Sequence, residues 1–138
     1  MSAFAAEPLF ELPAAAPQSG PRRVRVSGDL YHGHVPDGAV YVGRGAPALT
    51  ASRYANQHRA GDCRTCRAHH DQDDAVAAYA EDLSRRPELV DAARRELAGR
   101  DLACWCRLDG GGPCHADILL RVVEGVDPLV AFQQVRAR

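Results

Sequence analysis

At 138 residues the chain is long enough to bury one hydrophobic core, and its length gives no reason to expect a second domain. A net charge of −1 and a pI near 6.6 exclude the general basic footprint of a nucleic-acid binder, although a local arginine patch remains open. No apolar run is long enough to span a bilayer.

Residues 1–20 are rich in alanine and proline and read as a tail or loosely docked arm. They lack a basic n-region and carry Glu7 and Glu11 within their apolar stretch, which argues against a signal peptide and for a cytoplasmic protein. In a reducing compartment, five cysteines read as metal ligands, catalytic thiols or buried side chains rather than a disulfide framework. All 17 basic residues are arginine, which beside the abundant alanine reflects coding bias rather than function.

Residues 21–138 read as a single α/β domain. Val24-Arg25-Val26 alternates and predicts a short strand, and AVYV at 39–42 predicts a second. Gly43-Arg44-Gly45 ends it. With Ala48 and Asp62 this turn formally fits the loose dinucleotide fingerprint. No long helix or second strand follows to complete a βαβ unit, so a tight turn presenting Arg44 is the better reading.

Residues 48–72 are polar and irregular, and those from 58 to 72 form a Cys/His-rich loop. Asp73 or Asp74 is expected to cap a helix over 74–85, and Pro87 to open another over 87–98 that stops at Gly99. DLACWC at 101–106 predicts a buried strand. Apolar spacing predicts a helix over 115–124, and Asp127-Pro128 opens a last one. The expected fold is a small sheet with packed helices, its metal site lying at a strand end and a helix N-terminus.

That site is the densest signal in the sequence. Cys104, Cys106, Cys114 and His115 fall within twelve residues around Gly110-Gly111-Gly112-Pro113. In an extended strand, Cys104 and Cys106 point the same way, and the glycine turn lets Cys114 and His115 return beside them. The four make a Cys₃His set suited to tetrahedral zinc, with an iron–sulfur cluster as the alternative. A second reading makes Cys114 a thiolate at a helix start, with His115 as proton-transfer partner and Asp117 orienting it or binding ligand. A third leaves Cys104 and Cys106 as small buried apolar residues.

Cys63-x-x-Cys66, followed by His69 and His70, offers a further metal loop. The other histidine of that pair, His58 or the 104–115 segment could complete its ligand set. The alternative there is a solvated loop.

The order of these pieces resembles the DUF4326 family of bacteria and phages. The resemblance rests on AVYVGR at 39–44, SRYAN at 52–56, the helical segment 75–97, LAGRDLACWC at 97–106 and PCHADILL at 113–120. It implies a compact α/β fold with a pocket joining Arg44, Asn56 and the Cys-His segment. The Cys63/Cys66 loop departs from the family pattern. Two functions follow. One is an enzyme, using metal-assisted hydrolysis or a cysteine nucleophile on a small polar or anionic substrate such as a nucleotide or nucleoside. Its binding residues would be Arg44, Asn56 and Arg53. The other is a structural metal-binding module that recognises protein or nucleic acid.

Overall fold

The computed structural model describes residues 20–59, 61–63, 67, 69–106 and 113–136. The N-terminal arm, Cys66 and the Gly110 to Gly112 turn lie outside the described residues. Strands β1 (Arg23–Arg25), β2 (Ala39–Tyr41) and β5 (Asp101–Cys104) form a parallel sheet in the order β1-β5-β2. Strands β3 (Gly61–Asp62) and β4 (His69–His70) form a separate antiparallel hairpin. Helices α1 (Gln72–Ser84), α2 (Pro87–Glu96), α3 (His115–Val123) and α4 (Pro128–Arg136) complete a small mixed α/β fold.

β5 is the central strand, and a central parallel strand must be apolar along its length. Leu102 and Ala103 are fully buried and sit between both neighbours: Leu102 pairs with Arg23 and Val40, Ala103 with Val24 and Tyr41. The core is built from Leu102, Val42, Leu83, Ile118, Leu119 and Val122. In α3, Ile118, Leu119 and Val122 fall at helical spacing and bury one face.

Several boundaries differ from the sequence reading. α1 begins earlier, because Asp71 rather than Asp73 or Asp74 is its N-cap. Asp71 accepts from the Asp74 N–H at 2.7 Å, and the Asp74 carboxylate accepts from the Asp71 N–H, a capping box. β5 stops at Cys104 rather than Cys106. Its neighbours make their last bonds there, from Val26 N–H to the Cys104 carbonyl and from Val42 N–H to the Ala103 carbonyl. The chain then bends, and the Trp105 indole N–H donates to the Tyr41 hydroxyl at 2.9 Å. The polar stretch 48–72 contains the short hairpin, which periodicity could not reveal in two-residue strands. Arg94 closes α3 by donating to the Val122 and Val126 carbonyls.

Candidate metal centre

Cys104 is the last residue of β5, and Cys114 is the N-cap of α3. The bend after Cys104 turns Cys106 back. The ligand atoms of Cys104, Cys106 and Cys114 all lie within 4.8 Å of one another, a Cys₃ cluster capable of holding a metal ion. Cys104 Sγ and Cys114 Sγ are 3.4 Å apart, and both residues are buried.

A cysteine is an unusual N-cap, and its surroundings explain it. Cys114 Sγ accepts from the Ala116 N–H at 3.4 Å, the position an oxygen cap would take. The Asp117 carboxylate completes the box by accepting from the Cys114 N–H at 3.0 Å. The first turn of α3 therefore directs its unpaired N–H groups at a sulfur.

Charge in the cluster follows from these contacts. Hydrogen bonding with Cys104 and Cys106 holds the Cys114 thiol far below its ordinary range; burial opposes it, and His115 adds to the lowering. The opposite shift falls on its partners. Bonding to Cys106 and Cys114, together with burial, pushes Cys104 up. The Cys104 contact pulls Cys106 down, but its bond to Cys114 and its burial outweigh that, leaving it at about 11. Three adjacent sulfurs cannot all ionise without a cation, and the N-terminus of α3 favours charge on Cys114.

Two neighbours shape this pattern. His115 is buried, its Nε2–H donating to the Val42 carbonyl at 2.7 Å and its Nδ1 standing 3.6 Å from Cys114 Sγ. Its ring packs edge-on to Tyr79, with centroids 5.2 Å apart. Arg23 on β1 reaches Asp117 at 3.4 Å and lies against Cys114. Sequence reasoning missed Arg23. The available signal was its alternation with Arg25 about Val24 in a strand, which turns both arginines to one face of the sheet.

The cluster opens into a cleft of about 290 Å³ at the carboxyl ends of β2 and β5, where open α/β sheets bind ligands. Its walls include Gly43, Arg44, Asn56, His58, Arg59, Gln72, Cys104, Trp105, Cys106 and His115. The structure thus brings Arg44, Asn56, Cys104, Cys106 and His115 to one cavity. Asn56 is largely occupied in shaping the wall: its Nδ2 donates to the Ala75 carbonyl, and its Oδ1 accepts from the His58 N–H. Arg44 donates to the Asn56 carbonyl at 3.3 Å. Gln72 donates to the Pro113 carbonyl at 2.9 Å, tying α1 to the approach of Cys114.

Other candidates sit elsewhere. Arg53 does not line the cleft; it pairs with Glu96 at 2.8 Å and lies over the Tyr54 ring. Asp117 faces Arg23 and the Cys114 backbone. His115 is not in the set of mutually close ligand atoms, although it touches Cys114. Cys63 is buried with His58, and His69 and His70 form β4.

Among the described residues, no helix is long and apolar enough to cross a membrane. No curated protein and no solved structure shows significant similarity to the chain. The model of a domain of unknown function, DUF4326, matches residues 29–125, which take in the cleft and all three clustered cysteines. The chain therefore belongs to the DUF4326 family.

Proposed function

We propose that Cys104, Cys106 and Cys114 hold a zinc ion at the cleft, and that the protein is an enzyme acting on a small polar or anionic substrate of the nucleotide or nucleoside kind. The observation that carries this reading is that Cys104 and Cys106 are themselves cleft wall. An ion on these sulfurs would face the cavity, not the core. Three protein ligands with one open position is the arrangement of catalytic zinc, whereas structural sites are closed by four.

The sulfur spacing supports a single ion. Zn–S bonds of 2.3 Å set two thiolates about 3.8 Å apart along a tetrahedral edge; Cys104 and Cys114 stand at 3.4 Å, and all three ligand atoms lie within 4.8 Å. In a cubane iron–sulfur cluster each cysteine takes its own iron, which holds the sulfurs wider apart. Zinc at this position would supply a Lewis acid and an activated water for hydrolysis.

The chain supplies the rest. Arg44 and Arg59 give the cleft two cations for an anionic group. His115, whose Nε2–H is committed to Val42, turns Nδ1 toward Cys114. Asp117 and Arg23 fix the start of α3 and so the position of Cys114. Thiolate ligands need a reducing compartment, which fits the cytoplasm.

One observation favours a second reading. His115 Nδ1 stands 3.6 Å from Cys114 Sγ, and zinc–ligand bonds of 2.05 and 2.3 Å give a nitrogen–sulfur edge of about 3.6 Å. A ligating histidine also donates its other N–H to a protein oxygen, as His115 does to Val42. If His115 completes the sphere, the site is structural and the protein a recognition module.

The test is metal content and absorption of protein purified anaerobically, for the wild type, Cys106→Ser and His115→Ala. Colourless protein with zinc that is lost in C106S and kept in H115A supports the open site. Zinc lost in both supports the closed one, and brown protein points to a cluster. Reduced protein without metal overturns the metal reading. A nucleotide-induced rise in melting temperature that Arg44→Ala abolishes would support the substrate class.

A further inference from the structure

A second cysteine–histidine pair lies apart from the Cys104 cluster. His58 is buried, and both its ring nitrogens are committed. Nε2 is 2.9 Å from Asp82 Oδ2 on α1, and Nδ1 is 3.6 Å from Cys63 Sγ. Cys63 is itself buried, only 3% exposed. A carboxylate can only accept, so Nε2 carries a hydrogen, and Nδ1 is the nitrogen turned to the sulfur.

This geometry has the marks of a ligand pair. The separation of 3.6 Å equals the nitrogen–sulfur edge of about 3.6 Å that zinc bond lengths dictate. A carboxylate behind the histidine is the usual outer support of a metal-bound imidazole, fixing its tautomer and raising its basicity.

The backbone gives an independent argument. β3 and β4 have two residues each, far too few to hold a hairpin by ladder bonds alone. Cys63 directly follows β3, and the Arg67 N–H donates back to its carbonyl at 2.9 Å. Arg67 has φ +68°, the one positive φ outside glycine among the described residues. A non-glycine residue held there needs surroundings that enforce it, and a metal on Cys63 would do so.

We infer that Cys63 Sγ and His58 Nδ1 ligate a second metal ion of the zinc class, with Asp82 supporting His58, so that the metal pins the β3–β4 hairpin to α1. This site is independent of the Cys104 cluster, but His58 lines the same cleft.

The experiment counts zinc per chain by mass spectrometry, after equilibration with a weak competing chelator, in the wild type, Cys63→Ser, His58→Ala, Asp82→Asn and Cys106→Ser. Two zinc ions in the wild type, falling to one in C63S and in H58A, is the expected result. A single zinc lost in C63S but kept in C106S also supports this site, while removing the Cys104 reading. Zinc that survives both C63S and H58A overturns the inference, as does a wild type without zinc. If those two variants misfold, D82N decides, because it keeps the shape of the side chain. A drop of about 10- to 100-fold in zinc affinity at one site is expected there; unchanged affinity overturns the inference.

Discussion

Serine caps a helix well but is a poor zinc ligand, so Cys114→Ser separates the two roles of this side chain. C114S should lose the metal of the Cys104 cluster while keeping the stability of the chelated wild type. Cys114→Ala should lose the cap as well, costing about a further 1 kcal/mol. Urea unfolding in excess chelator, with zinc counted separately, checks both halves. Equal stability of C114S and C114A would mean that the bond to Ala116 N–H contributes nothing.

Arg23 and Asp117 form the buried ion pair beside that cap. Removing one member leaves the other charge buried, which costs about 3–5 kcal/mol. Arg23→Met should therefore be strongly destabilising, and adding Asp117→Asn should recover part of the loss. A double-mutant cycle gives the coupling, and strictly additive changes would deny it. Tyr79 adds a pH dependence. Burial raises its pKa above the ordinary 10.0, and its hydroxyl donates to the Tyr54 carbonyl at 2.6 Å. The folded state thus keeps a proton that the unfolded chain releases. That contribution is intact below about pH 10 and is lost as pH climbs toward the folded value. Tyr79→Phe should flatten the alkaline loss of stability measured by urea titration between pH 9 and 11.

At the scale of elements, the capping box of α1 is the clearest target. Asp71 follows β4 directly, so Asp71→Ala should cost about 1 kcal/mol and speed amide exchange in the first turn of α1. The four helices were legible from their apolar spacing, and start or stop signals marked α2, α3 and α4. Pro87 opens α2, and Gly125, at φ +105°, follows the C-cap of α3. β1, β2 and β5 were legible from β-branched or apolar runs. The extent of β5 was not, because a strand ends where its neighbours stop offering partners, and that is a property of β1 and β2. The β3–β4 hairpin was invisible because two-residue strands have no period. The convergence of Cys104, Cys106 and Cys114 was legible from density and glycine spacing. The pairing of His58 with Asp82 joins positions 24 residues apart and left no local trace.

For the molecule as a whole, the Cys104 cluster ties the end of the central strand to the start of the most buried helix. A metal that binds only this folded arrangement stabilises it by mass action. Chelation should therefore lower the melting temperature, and an unchanged value in zinc-loaded protein would argue against a cluster ion. The sheet also imposes an order of events. Its middle strand comes last: the Arg22 N–H and the Asp101 carboxylate that it meets at the sheet edge are 79 positions apart. β1 and β2 do not pair with each other, so neither has a neighbour while the first hundred residues leave the ribosome. Such distant pairing makes folding slow and leaves strand edges open to other chains meanwhile. The three sulfurs come from β5 and the segment behind it, within eleven residues of one another, so they can meet before the sheet has closed. A reagent that detects them together, such as cobalt through its thiolate absorption, would show whether this site forms ahead of the sheet or together with it.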